Sequence, residues 1–399
     1  MITIQEIKLE KYLAVSIACM ICTLRIATAV SEIACGIAVL LAILLWRNGK
    51  DNLSLSEDIR GYMKAYGVFL LCMVPSLIFS DSPAASIKSY FGMYIWRYMP
   101  FILVIFIRRR EYLVNLLTAY MAVASVEGIF ALVQVMKHVN PNFRGAGFGV
   151  NVLTLAGIIC ILLPIAAVVL MDPRFEMRLK KVASFAVVGS IVGLLCNKSR
   201  GAWLTELVVL PVATFPYVKQ NKKLLLSMLV IFLAIAGFML SKPHYVLRMQ
   251  SITNTTTDRS NADRIWVWKS AQKMVQDHPL TGVGQGRFKD YYKKYKLKQE
   301  SQNLTHTHNN FVQVSVENGI IGLVGFLYFV LFYLYISLRN YHKNKNPYDI
   351  LVFTTVLGYI CLFGQIDYSL GIGTGSRVLW FLLAVLLKLK ETENRTYLL

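Results

Sequence analysis

Charge is scarce in this chain of 399 residues: Asp, Glu, Lys and Arg make up 16% of it, against about a quarter of a soluble domain. Acidic residues are scarcer than basic ones, 22 against 42, for a formal net charge of +20. Low-complexity tracts and internal repeats are missing, which argues against a disordered chain or a repeat array. The apolar runs lack strict apolar–polar alternation, so a membrane β-barrel is not expected. The longest polar segment, 241–318, has no cysteine; Cys19, Cys22, Cys35, Cys72, Cys160, Cys196 and Cys361 all lie in or at the ends of apolar runs. They read as small apolar residues rather than disulfide or metal partners. The opening MITIQEIKLEK is polar and mixed in charge, and no cleavable-signal pattern is expected from it.

What is plentiful is apolar length. Hydrophobic residues are 56% of the chain, the mean hydropathy is +0.51, and the apolar residues come in blocks of about 17–25, the length that crosses a bilayer as helix. That excludes a soluble enzyme with one anchor. The expected fold is an all-α polytopic membrane protein with about twelve spans, at 12–28, 30–46, 62–80, 90–107, 112–136, 151–171, 182–196, 203–218, 224–240, 319–338, 349–366 and 377–389. This divides the chain into three parts: spans one to nine in 1–240, a polar insert at 241–318, and the last three spans with a tail in 319–399.

Orientation is set by the basic residues, which gather in cytoplasmic loops. With the N-terminus inside, 22 of the 42 fall on the inner face, among them Lys50, Arg108, Arg109, Arg110 and Arg395. The short outer loops hold Lys88, Arg144, Lys198, Arg200 and Arg377, with Lys137 at a boundary. Both termini are thus expected on the inner side of the membrane and the insert on its outer face. This distribution accounts for the positive charge without a nucleic-acid partner. The insert holds twelve Lys and Arg against six Asp and Glu, but long loops translocate largely regardless of charge. Ser260 or Asn261 can cap a helix running to about Gln276, a glycine-rich turn comes next at Gly282, Gly284 and Gly286, and a Tyr- and Lys-rich helix runs to about Gln299. Lacking a preceding strand, those glycines read as turn residues rather than a dinucleotide loop.

Chemistry-bearing residues concentrate at the outer boundary. Arg200 sits in a six-residue loop, where a basic residue is unexpected unless it snorkels to lipid phosphate. Arg259 and Arg264 flank the start of the insert's helix, and His308 and Asn309 begin the return to the membrane. Guanidinium groups suit phosphate oxygens, and imidazole accepts a proton near neutral pH. Together they suggest a phosphate-linked lipid substrate; the alternative for a lone histidine is a structural hydrogen bond. His306 and His308 form a possible metal pair, yet His278, Asp290 and Glu317 lie at no recognisable ligand spacing, so no metal is expected. Among intramembrane polar residues, Arg25 and Glu32 can pair across the first outer turn, Glu127 lies mid-span, and Arg97 lies near the outer end of its span.

Two motifs carry a family resemblance. Ser199-Arg200-Gly201-Ala202-Trp203-Leu204 resembles the Arg-x-x-x-Leu motif of bacterial O-antigen ligases, and His308-Asn309 followed after nine residues by Gly319-Ile320-Ile321-Gly322 resembles their His-Asn-x9-Gly-x-x-Gly motif. Arg264-Ile265-Trp266 and the run Asp277 to Gly284 are similar to the insert of the wider ligase and polymerase superfamily. The resemblance implies a GT-C type fold. It also implies transfer of a polysaccharide from undecaprenyl diphosphate to the lipid A–core oligosaccharide, with inversion and without cofactor or metal. The implied roles are His308 as base and Arg200 with Arg264, or else Arg259, and more remotely Arg287, on the diphosphate. Asn309 would orient the imidazole or a sugar hydroxyl, or cap the next helix, and Asp367 and Arg377 would support from the last outer loop. O-antigen polymerase and O-oligosaccharyltransferase share the donor chemistry and remain alternatives. A lipid-linked glycan transporter would instead spread charge through the membrane depth.

Overall fold

The computed structural model describes residues 4–48, 55–298 and 303–396. Lys50, Gln299 and the rest of 299–302 lie outside the described residues, as does the side chain of Arg395. The described chain is helical, without strands. Its elements are α1 (Ile4–Thr23), α2 (Thr28–Asn48), α3 (Glu57–Ile78), α4 (Pro83–Tyr90), α5 (Trp96–Val104), α6 (Arg110–Lys137), α7 (Val152–Met171), α8 (Met177–Asn197), α9 (Arg200–Val218) and α10 (Lys222–Leu240). The polar segment contributes α11 (Pro243–Gln250), α12 (Arg259–Asp277) and α13 (Phe288–Tyr295). The chain then returns through α14 (Asn310–Asn344), α15 (Pro347–Thr355) and α16 (Gly373–Thr396). Two π-helical turns, Phe91–Ile95 and Val356–Leu362, interrupt the helices before α5 and after α15.

Among the described residues nine helices are long and apolar enough to cross a membrane, and the chain fits a polytopic membrane protein. The other three expected spans coincide with α1, with the interrupted α4–α5 stretch and with α16; α1 and α16 are helical but carry more charge, and α5 has only nine residues. Burial explains the composition of individual helices. In α7 every residue from Thr154 to Val169 is buried, matching a helix apolar on all sides. In α10 none is, so its leucines face what would be lipid. An aromatic cluster ties α3, α5, α14 and α16 together: Tyr66 stacks on Tyr98 with centroids 4.4 Å apart, and Tyr98 meets Trp380 at 4.7 Å.

Two features differ from the sequence reading. Arg25 pairs with Glu127 rather than with Glu32, and Glu32 pairs with Arg377 at 2.5 Å. Glu127 is buried in α6, and a buried carboxylate without a counter-charge is far costlier than an exposed one, so it takes the arginine from α1's end. Second, the return to the membrane is broken: α14 starts at Asn310 and its backbone leaves helical geometry at Gly319, so the expected span from 319 is preceded by a separate helical stretch that packs against the polar segment.

Candidate active site

The site is assembled by a joint between that segment and α14. At Gly319 the helix breaks, with φ 61° and ψ −164°. The N–H groups that lose their helical partners there find new ones: Ile320 donates to the Pro279 carbonyl at 2.9 Å and Ile321 to that of Leu280 at 3.3 Å. In return Val283 N–H donates to Val316 and Gly284 N–H to Glu317, at 2.9 and 3.0 Å. A Cβ on Gly319 would lie 2.2 Å from the Leu280 oxygen, which no side chain tolerates. The glycine run, read as a turn, therefore also docks the polar segment on α14.

This joint sets the position of the loop carrying His306 and His308. Trp268 of α12 donates its indole N–H to the Thr307 carbonyl at 2.8 Å, and Thr307 N–H donates to Gln313 at 2.8 Å. From the other side Asn310 holds the last loop, donating to Ser369 Oγ at 2.9 Å and accepting from Leu370 N–H at 3.2 Å. The loop between α15 and α16 thus brings Asp367 to the histidines. His308 Nδ1 lies 2.9 Å from Asp367 Oδ1. An ionised carboxylate only accepts, so Nδ1–H donates and Nε2 is left as the basic lone pair. His306 Nε2 lies 3.4 Å from the same oxygen, and the two imidazole centroids are 4.2 Å apart. Burial pushes the Asp367 carboxyl up, but hydrogen bonds from His306 and His308, together with their electrostatic attraction, hold it well below the ordinary carboxylate range. His308 itself has φ 53°, an uncommon left-handed conformation for a residue with a Cβ.

Arg200 begins α9 and is 8% exposed at its side chain. It does not snorkel: Nη1 donates to Ser251 O and Oγ at 2.7 Å, and the guanidinium takes Asp258 with both nitrogens at 3.0 and 3.1 Å. Asp258 in turn caps α12. Arg264, two turns along α12, is freer; its Nε is buried without a hydrogen-bond partner. It lies within electrostatic reach of Asp367 on one side and of Arg200 and Asp258 on the other. Two further arginines complete the group. Arg144 donates Nε–H to the Asn197 carbonyl at 2.8 Å, and Arg248 to that of Lys198 at 3.3 Å. Burial, followed by the charges of Arg248, Arg200 and Arg264, pulls Arg144 down to about 10. Four guanidiniums thus gather in one region, and Asp258 is paired with one of them, Arg200. Such an excess of donors and charge suits a polyanion.

Other expected residues fall elsewhere. Arg259 is 66% exposed and points to Asp263 at 4.0 Å, away from this cluster, and Arg287 pairs with Asp290 at 2.8 Å. Arg377 is held by Glu32. Asn309 caps α14 through Phe311 and Val312 N–H, at 2.8 and 3.1 Å, while its Nδ2 donates to Gln365 at 2.9 Å. His306, His308 and Asp367 bring three potential ligand atoms within 4.8 Å. The carboxylate beside the histidine pair is Asp367; His278 packs on Tyr291 and Asp290 pairs with Arg287. Beside the histidines opens a cavity of about 600 Å³, bordered by His306, His308, Asp367, Glu317 and Arg97. Neither Arg200 nor Arg264 borders it, although Arg264 is within electrostatic reach of Asp367. Arg144 was legible only as a basic residue in a short outer loop, and Arg248 had no local signal.

Residues 185–327 match the O-antigen ligase family. The match takes in Arg200, Arg264 and His308 and bears out the resemblance read from the two motifs. A protein of Rickettsia conorii, provisionally named a polysaccharide ligase, is 29% identical over 121 residues, 29% of this chain and 28% of its own length. An uncharacterized protein of Haemophilus influenzae is 20% identical over 198 residues, 46% of this chain and 49% of its own. The chain spans half the length or less of these curated relatives.

Proposed function

We propose that this chain is a glycosyltransferase of the periplasmic face of a bacterial inner membrane. It moves an O-antigen polysaccharide from undecaprenyl diphosphate to the lipid A–core oligosaccharide, with inversion and without metal. The acceptor hydroxyl attacks the anomeric carbon, and its proton passes to His308 Nε2. The bond from that carbon to the diphosphate oxygen breaks with its electron pair on the oxygen. The charge developing there is met by Arg264, with Arg144 and Arg248 beside it and Arg200 bracing the cluster through Asp258. Asp367 keeps the His308 tautomer and stabilises the imidazolium that forms, the role a buried aspartate has beside a catalytic histidine. Asn309 acts through the helix cap and Gln365, and Arg377 through Glu32.

The single observation that carries this reading is the Nδ1–Oδ1 contact of 2.9 Å between His308 and Asp367, with Arg264, whose Nε has no hydrogen-bond partner, within electrostatic reach of the same carboxylate. The test is transfer in vitro with purified protein, lipid-linked glycan and a lipid A–core acceptor. Wild type is expected to produce linked product and His308→Ala none, at equal protein levels; near-normal transfer by the variant removes the base and the reading with it. A polymerase would instead lengthen the glycan on the lipid carrier in the same reaction.

A further inference from the structure

The structure assigns the cavity beside His308 to the acceptor saccharide and, within it, Arg97 to an acidic group, a phosphate or carboxylate, that the acceptor carries next to its reacting hydroxyl. This inference rests on the transfer reading above and extends it to the class of acceptor.

Arg97 is the second residue of α5 and comes directly after the π-helical turn Phe91–Ile95 and Trp96. A π turn inserts one residue into the helical count and re-aims the side chains beyond it, and such turns recur at functional sites. The guanidinium is largely withdrawn from solvent, and Nη1 donates to the Leu370 carbonyl at 2.7 Å. Among the described residues no carboxylate pairs with it. The charged and phenolic groups that act on it are Tyr368, Tyr94, Tyr359 and the cation Arg377, itself committed to Glu32. A cation held in this way, without a counter-ion, is costly unless something supplies the opposite charge. What adjoins it is the cavity of about 600 Å³, a volume typical of ligand pockets. Gly373 lies against the guanidinium and also lines the cavity; a Cβ there would stand 3.4 Å from Nε, in ordinary contact.

The cavity also has a carboxyl group from α14 in its lining. Glu317 borders it; its Oε1 accepts from Phe288 N–H at 3.3 Å, while its buried Oε2 has no hydrogen-bond partner. Among the residues that line the cavity Arg97 is the one permanent cation, and a carboxyl group such as that of Glu317 does not attract an anion. The lining therefore joins a permanent cation at Arg97 with His308 in one cavity. The direction of attack gives the same assignment. Inversion requires nucleophile and leaving group on opposite sides of the anomeric carbon. With the leaving diphosphate at the arginine group, which does not border the cavity, the nucleophile must come from the cavity. Arginine's planar donor fork fits phosphate and carboxylate oxygens alike.

The test is steady-state transfer by the full-length protein with three acceptors: lipid A–core with its sugar phosphates intact, the same after phosphatase, and the same with its carboxylates methyl-esterified. Wild type should prefer the intact acceptor at least tenfold in kcat/KM over one of the two altered forms, which identifies the acidic group. Arg97→Gln should raise the KM for the intact acceptor at least tenfold and abolish the preference, with the donor KM within twofold of wild type; Arg97→Lys should recover part of it. Should Arg97→Gln fail to accumulate in membranes, Gly373→Leu, whose longer side chain would extend past the guanidinium into the cavity while Arg97 keeps its charge, should raise the same KM. A preference that survives these changes, or a shift in donor KM alone, overturns the inference. His308→Ala, inactive on all three acceptors, tests the underlying reading separately.

Discussion

At the scale of single residues, two arginines of one cluster are expected to behave differently. Arg200 is saturated by Ser251, Asp258 and Asn261, whereas Arg264 has a buried Nε with no partner. Arg264→Ala should therefore cut transfer by about 10²-fold or more, the usual cost of losing a donor to developing charge, with the thermal midpoint of the detergent-solubilised protein almost unmoved. Arg200→Lys keeps the charge but loses the two-nitrogen grip on Asp258, so it should lower both the midpoint and the activity. Equal effects of the two variants on both readouts would show that the cluster is not divided in this way. Asp367→Asn should lower kcat by about 10²–10⁴-fold, as when a catalytic histidine loses its aspartate, with the acceptor KM little changed. The pH dependence is governed by the sign of the Asp367 shift. Its folded value lies below the unfolded one of about 3.9, so its contribution to stability is complete above that pH and is lost only as pH falls further towards the folded value. A decline of kcat between pH 7 and 5 in a full profile accordingly reports a group other than Asp367.

At the scale of elements, the joint between the glycine run and α14 is where the fold makes the site. Gly319→Ala places a methyl at φ 61° against the Leu280 carbonyl, a strain of about 1–3 kcal/mol before the clash is counted. The polar segment should then loosen from α14, read as faster limited proteolysis between α12 and α14 together with loss of transfer. Gly67 offers a control in α3, since nothing lies within 4 Å of a Cβ added there; Gly67→Ala should leave proteolysis unaltered. Equal cleavage of the Gly319 variant and wild type would mean that the joint does not hold the segment in place.

For the whole molecule, the presence of His306, His308 and Asp367 in one cluster makes the metal question an experimental one. Purified protein is expected to transfer glycan in chelator without added divalent ions. A strict requirement for a divalent ion, abolished together with activity by His306→Ala, would favour the metal reading over the base. In cells, loss of the protein should leave long lipid-linked polymer unattached to core, rather than a single repeat unit on core as for a lost polymerase. The positions of the membrane helices were readable in the chain because apolar length and local charge bias are one-dimensional properties. The histidine and arginine motifs were readable too, because each is contiguous or regularly spaced. What the order of residues leaves undetermined is which distant charges meet. Arg25 chooses Glu127 over Glu32, Asp367 reaches His308 across 59 positions, and Arg144 and Arg248 converge on Arg200 and Arg264. Burial decides each of these, because the cost of an unpaired charge depends on the solvent left around it, and only the packed helices determine how much solvent that is.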